Sequence, residues 1–345
     1  MKKLLSAVLP ALAAAVLLSS CGKPKEELTI YNWGDYMSPE VVKKFEKKFN
    51  CKVKMDVFDS NEAMYAKLKA GAKGYDIAGP SAYMAELMRK QGMLVELDHG
   101  KLPNVLKNVD QSYIKYALDK EMRYTVPYFV SFTGIGYNTK KVKDFKPTWR
   151  MFERADLKGR CSLLNDMREV VGIGLLMTGH DMNSTNQKDL DDAVKQALVW
   201  KKNIAKFEVD DAKRALAAGE FVMIQTYSGD MLQVSSENKD IAFVIPKEGS
   251  AFTIDNFTIL KDAPNPELAY KFINFMYDPE ICAKNMNEIM YVTPNSAAVK
   301  LVNESLRNNP AFSIPEEVRA KCRPQVDLGQ DNIKFVKAWE TIKQK

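Results

Sequence analysis

The chain has 345 residues, 46% hydrophobic and 27% charged, which is enough for two domains with cores of ordinary size. Its formal charge of +6 is interspersed along the chain rather than striped, which excludes a nucleic-acid surface as its main feature. The composition is that of a globular protein, and beyond the N-terminal leader no segment approaches transmembrane length.

Lys2 and Lys3 precede the apolar run Leu4 to Leu18, which is short for a membrane span and has the order of a secretory leader. Small residues then lead to a cysteine in Leu18-Ser19-Ser20-Cys21-Gly22. This stretch resembles a bacterial lipoprotein lipobox, which implies cleavage before Cys21 and lipidation of its thiol. Residues 1–20 are then a signal peptide and residues 21–27 an anchor spacer. An ordinary secretory leader that happens to contain a cysteine is the alternative. Loss of Lys2 and Lys3 lowers the formal charge by two, to +4. Any membrane contact would run through the anchor.

Strand and helix patterns alternate from residue 28 onward. Residues 28–32 read as a strand that ends in a turn carrying Trp33, Asp35 and Tyr36. A helix follows at 39–49, with Ser38 as its N-cap and Pro39 in its first position. Next come a strand at 52–58, a helix near 61–70, a strand at 75–79 and a helix near 82–91. This βαβαβ order implies a parallel sheet covered by helices. The aromatic run 124–138, punctuated by Gly134 and Gly136, reads as extended chain passing from one lobe to another. A second set follows: strand 161–164, helices 167–179, 187–203 and 210–218, strand 220–226 and helix 228–236. Residues 240–244 and 252–260 are strand-like, and helices close the chain at 265–277, 279–289 and about 331–343.

The expected fold class is α/β, with two lobes that each carry a mixed, mainly parallel sheet flanked by helices, and a cleft between them. The expected boundaries are 28–133 with 253–299 for lobe 1, and 138–249 with 300–345 for lobe 2. Hinge crossings are expected near 134–137 and 250–252. Open α/β sheets place ligands at the carboxyl ends of their strands, so the turn at Trp33 and Tyr36 is the first place to look.

Signatures of catalysis are missing. There is no G-x-S-x-G, H-E-x-x-H, G-x-x-x-x-G-K-[ST] or C-x-x-C, and no G-x-G-x-x-G after a strand. The two histidines, His99 and His180, stand far apart in loop-like settings. Cys51, Cys161, Cys282 and Cys322 match no zinc spacing; two disulfides or four buried thiols are both open. The reading is a binding protein, not an enzyme, with no cofactor and no metal.

Three acids stand near strand ends. Asp166 and Glu169 follow strand 161–164 at i and i+3, a spacing that also fits a capping box. Asp255 lies inside the apolar run Ala251-Phe-Thr-Ile-Asp255-Asn-Phe-Thr-Ile, where a carboxylate needs a cation or donors. Trp33, Tyr36, Tyr83 and Tyr291 sit in turns and loops. Carboxylates together with aromatic faces suit a flexible organic cation, each cation–π contact adding about 0.5–2 kcal/mol.

These residues carry a resemblance over about 28–343 to extracytoplasmic spermidine/putrescine-binding proteins of ABC-type polyamine importers. The matching segments are Tyr31-Asn-Trp-Gly-Asp-Tyr36, Asn61-Glu-Ala-Met-Tyr-Ala-Lys-Leu68, Tyr75-Asp-Ile-Ala-Gly-Pro-Ser-Ala-Tyr83, Asp166-Met-Arg-Glu-Val170, Pro246-Lys-Glu-Gly249 and Tyr291-Val-Thr-Pro-Asn295. The resemblance implies the two-lobe periplasmic-binding-protein fold of type II and a ligand gripped as the lobes close. It implies Trp33 and Tyr36 as aromatic walls, Ser81 and Tyr83 as contacts from the Pro-Ser-x-Tyr loop, and Asp166 with Glu169 as an acidic pair rather than a cap alone. It further implies Asp255 as the ammonium clamp, Tyr291 beside Thr-Pro-Asn, and Gln325 as a ligand-contacting glutamine. The pocket position after Met-Ile, often tryptophan in the family, is here Gln225, and Thr253 stands where another tryptophan is common; Tyr227 is a compensating aromatic. The implied partners are a polyamine (putrescine, spermidine or both), an ABC-type permease and the membrane through Cys21, with a monomeric protein and no nucleic acid. Two alternatives stay open: another small amine or cation in the same fold, or a surface lipoprotein with an interaction role.

Overall fold

A computed structural model describes residues 26–115 and 117–344. The leader, the lipobox Cys21 and most of the spacer lie outside the described residues. Ten strands are named in chain order: β1 (Glu27–Trp33), β2 (Lys52–Phe58), β3 (Ile77–Ala78), β4 (Val126–Asn138), β5 (Cys161–Leu163), β6 (Lys206–Phe207), β7 (Met223–Tyr227), β8 (Ile241–Val244), β9 (Ala251–Ile259) and β10 (Arg323–Pro324). The sheet path runs β2-β1-β3-β9-β4-β7-β5-β6, with β8 on β4 and β10 on β9. Pairing is parallel in β2-β1-β3 and in β7-β5-β6, and antiparallel where β9 and β4 join the two halves.

The period-2 alternation of strands splits each half into two faces. Leu28, Ile30 and Ile77 pack with Phe45, Phe257 and Phe272 in one core, while Tyr31, Ala78 and Phe58 pack with Met64 and Met88 in another. In the second half Met223 joins Trp149, Trp200 and Phe335, whereas its neighbour Ile224 joins Leu216 and Met231. Each large side chain fully buried in this way contributes roughly 1.5–3 kcal/mol. The helices form where their caps predict. Ser38 accepts from the Val41 N–H ahead of helix Pro39–Phe49, and Asn50 ends that helix in the left-handed conformation.

β4 is the strand that passes between the halves. Its first part, through Phe132, pairs with β9; from Thr133 onward it pairs with β7 and β8. The return crossing enters β9 at Ala251, preceded by Gly249, whose carbonyl accepts from Trp149 Nε1. The structure adds a third crossing at β10, which pairs parallel to the start of β9 through Arg323 and Pro324.

That crossing lies beside the segment that follows the expected lobe boundary at 299/300. Val302, Leu306, Phe312, Ile314 and Cys322 share a core with Cys282, Met286 and Val292. The apolar spacing of 302–322 is satisfied there, in a core that also takes in Leu232 and Ile245. The chain then returns to the second lobe, where Phe335, Ala338 and Ile342 of helix Asn332–Gln344 enter its core. The cysteine alternatives resolve toward thiols: Cys161, Cys282 and Cys322 are buried and free, and burial pushes each thiol up to about 12. Among the described residues no helix is long and apolar enough to cross a membrane.

Candidate functional site

The turn after β1 is built to hold Tyr36 in place. Asp35 takes a left-handed backbone (φ 51°), which reverses the chain, and the Tyr128 hydroxyl donates to the Tyr36 carbonyl at 2.5 Å. Asn285 Oδ1 accepts from the Ser38 N–H at 3.0 Å. Trp33 packs against Phe58 at 4.5 Å between centroids and lies 6.5 Å from Tyr36; its buried indole N–H has no partner among the described residues.

The loop after β3 brings up Ser81. Gly79 passes so close to Asn32 that an added Cβ would lie 2.1 Å from Asn32 Oδ1, so only glycine lets the loop hug β1. The Asn61 side chain grips Ser81 through two bonds, 3.1 Å to its N–H and 3.2 Å to its Oγ. Ser81 forms a bridge with Asp255 of β9.

Asp255 is the first acid centre. It is 6% exposed, and its two carboxylate oxygens accept from Ser81 Oγ at 2.6 Å and Tyr36 OH at 2.7 Å. Burial raises its carboxyl from 3.8 to about 6, against the opposing pull of those two hydroxyls. The same burial, followed by the Asp255 charge, holds the Tyr36 hydroxyl well above its ordinary value. Phe129 and Tyr291 complete the wall, with centroids 5.1 Å from Tyr36 in each case.

Asp166 and Glu169 form the second centre, at the start of helix Met167–Met177. Asp166 is the N-cap, one of its oxygens accepting from the N–H groups of Arg168 at 2.8 Å and Glu169 at 3.1 Å. Glu169 does not close the reciprocal half of a capping box. It turns inward, 1% exposed, and accepts from Gln325 Nε2 at 2.9 Å, while Oε2 has no partner among the described residues. Burial and then the Asp166 charge push Glu169 upward; burial also raises Asp166. Arg168 runs the other way, bonding the Val326 carbonyl and Asn183 Oδ1, which pins the segment that carries Gln325. Its guanidinium stacks over Tyr83 at 5.1 Å, and the Tyr83 hydroxyl reaches Glu62 at 3.1 Å.

Tyr227, already named as a compensating aromatic, and two residues that the sequence reading did not assign, Asp230 and Glu62, join the site. Tyr227 ends β7 between the two centres. Burial raises its hydroxyl, and the charges that act on it are Asp166, Glu169 and Asp230, with Tyr291 also nearby. Asp230 stands in the first turn of helix Ser228–Glu237 and accepts from the Tyr291 hydroxyl at 3.2 Å. The ring of Tyr291 crosses Gly229 so closely that a Cβ there would lie 2.2 Å from it. Glu62 faces Asp166 across Tyr83, and desolvation of its carboxyl followed by the Asp166 charge raises it. The turn motif Tyr227-Ser-Gly-Asp230 could have signalled Asp230, since a strand-end aromatic and a first-turn acid repeat the pattern at Trp33 and Asp166.

Gln225 bonds backbone through one end of its amide, while its Nε2 has no partner among the described residues. Its Oε1 accepts from the Leu164 N–H at 3.1 Å and its side chain is 1% exposed, so it ties β7 to the end of β5. Tyr227, two residues on, is the aromatic that meets the acids. Thr253 lines a small gap with Ser81, Tyr83 and Gln325, so a larger side chain there would face the same residues. Trp33, Tyr36, Ser81, Tyr83, Asp255 and Tyr291 come from the first lobe, and Asp166, Glu169, Tyr227 and Asp230 from the second. Gln325 arrives on the third crossing. Among the described residues, neither Asp255 nor Glu169 lies within ion-pair distance of a basic side chain, and no set of three or more His, Cys, Asp and Glu side chains is grouped to hold a metal.

Residues 40–314 match the family described as bacterial extracellular solute-binding protein. The chain is 34% identical over 368 aligned positions to the putrescine-binding periplasmic protein PotF of Escherichia coli K12, covering 99% of this chain and 98% of that one. A structure described as a putative spermidine/putrescine ABC transporter from Listeria monocytogenes superposes with a TM-score of 0.88 at 35% identity, covering 93% and 99% of the two chains. The TpPotD lipoprotein of Treponema pallidum superposes with a TM-score of 0.84 at 31% identity, covering 92% and 99%. The chain belongs to the bacterial extracellular solute-binding protein family, with the fold of periplasmic binding proteins and a role in solute binding rather than catalysis.

Proposed function

We propose that the cleft captures a polyamine, putrescine or a close relative, and that the protein delivers it to an ABC-type permease while anchored through a lipid on Cys21. The observation that carries this reading is the open Oε2 of Glu169, a fully buried carboxylate oxygen with no partner among the described residues. A buried acid of this kind is costly unless a cation reaches it. Asp255, on the opposite lobe, has donors but no basic partner. Two acid centres separated by tyrosines match a ligand with an ammonium at each end and methylenes between. The relatives named for putrescine and spermidine support the same ligand class, and the relative described as a lipoprotein supports the anchor.

Closure on such a ligand follows from differential affinity. Either ammonium alone reaches only one lobe, whereas both together bridge Asp255 to Asp166 and Glu169. The shared binding energy is available only when the lobes are together. A thermal-shift panel tests the reading: putrescine and spermidine are expected to raise Tm, and amino acids and sugars to leave it unchanged. No shift with either amine, alongside a shift with another class, would overturn it.

A further inference from the structure

Asp230 differs from the other acids of the cleft. Among the described residues it alone of the five has a basic side chain within ion-pair distance: Lys213 Nζ lies 3.2 Å from its Oδ1. Both side chains are largely buried, 22% and 14% exposed. Lys213 rises from helix Asp210–Ala218, and its ammonium also donates to Gln233 Oε1 at 2.9 Å. Gln233 in turn donates to the Ile289 carbonyl at 2.9 Å, so the ammonium is held by an oriented partner rather than waving at the surface. The Asp230 oxygen it meets is the one that accepts from Tyr291, whose ring packs on Tyr36.

We propose that Lys213 sets how many ammonium groups the cleft takes, by acting as a built-in ammonium that satisfies Asp230. With Lys213 in place, two acid centres remain for the ligand: Asp255, and Asp166 with Glu169. That arrangement suits a diamine. Without Lys213, Asp230 becomes a third centre between them, beside Tyr36, Tyr227 and Tyr291, and suits the inner ammonium of a triamine. This inference rests on the polyamine reading and adds the choice between chain types.

Calorimetric titration of putrescine and spermidine into wild type, Lys213→Met, Lys213→Gln and the double variant Lys213→Met/Asp230→Asn tests it. Lys213→Met is expected to shift the affinity ratio toward spermidine by about tenfold, the size of one charge-assisted hydrogen bond. Lys213→Gln, which keeps side-chain length and polarity, is expected to shift it the same way, and the double variant to return to the wild-type ratio. Equal losses for both amines would mean that Lys213 only braces closure, and would overturn the proposal, as would an unchanged ratio. Binding of neither amine by wild type would overturn the polyamine reading itself.

Discussion

Asp255 and Glu169 are both buried carboxylates of the candidate site, but their surroundings treat them differently. Asp255 has hydroxyl donors on both oxygens, Ser81 at 2.6 Å and Tyr36 at 2.7 Å. Glu169 has one amide donor, Gln325, and a second oxygen with no donor in hydrogen-bond geometry, although the Thr133 hydroxyl lies close enough to favour its ionised form. The first acid is part of the scaffold as well as the site. On the proposed reading, the second receives the ligand. Burial alone therefore does not distinguish a structural acid from a binding one; the count of satisfied lone pairs does.

The sharpest way to break this comparison is to neutralise each acid without changing its shape. Both Glu169→Gln and Asp255→Asn are expected to weaken amine binding about a hundredfold or more, since each removes a desolvated charge partner. Their stabilities should diverge. Glutamine at 169 can still accept from Gln325 and carries no charge to desolvate, so the amine-free protein should melt higher at neutral pH. Asparagine at 255 offers one acceptor oxygen to two hydroxyls, and the orphaned donor should cost about 1–3 kcal/mol in urea titration at pH 4, where the wild-type carboxyl carries no desolvated charge. Equal stability losses would end the distinction.

Proton linkage gives the next largest effect. The Asp255 carboxyl is raised from 3.8 to about 6 in the folded protein, so the folded state holds this proton more tightly than the unfolded chain. Its contribution to stability is full below about pH 4 and is lost as pH rises to about 6, on the order of 2–3 kcal/mol. Asp255→Asn cannot titrate, so its stability relative to wild type should improve by that amount between pH 4 and pH 6. Amine affinity of wild type should rise over the same window as the carboxylate ionises. Urea titrations and calorimetry at the two ends check both signs.

The two ends of β7 offer a smaller contrast. Tyr227→Ala should weaken putrescine binding about tenfold by removing a ring beside the acids, with little effect on melting. Gln225→Ala should do the reverse, orphaning the Leu164 N–H and lowering stability by about 1–3 kcal/mol with affinity nearly kept. Trp33→Ala should cost more affinity than Gln225→Ala. Tyr36→Phe is the mildest change: it removes one of two donors to Asp255 and should alter affinity by about two- to tenfold.

Much of this was legible in the chain, because the relevant signals are local. Ser38 with Pro39 marks a helix start, the alternation in 28–32 marks a two-faced strand, and the glycines in the aromatic run 124–138 mark a strand that changes partners. The third crossing was not legible, because β10 is only two residues long and its pairing with Ala251 and Phe252 is set by the fold. The bond from the Leu164 N–H to Gln225 was not legible, because burial looks the same in sequence whether a side chain turns to backbone or to ligand. Asp230 and Lys213 sit 17 residues apart on different helices, so their pairing exists only in three dimensions.

The most direct test of the account is calorimetric titration of putrescine against wild type and Glu169→Gln at neutral pH, with melting curves of both amine-free proteins. One putrescine per wild-type chain is expected, with binding lowered about a hundredfold or more in Glu169→Gln while the amine-free variant melts no lower than wild type. Binding that is unchanged in the variant would contradict the claim that the open Glu169 oxygen receives the ligand.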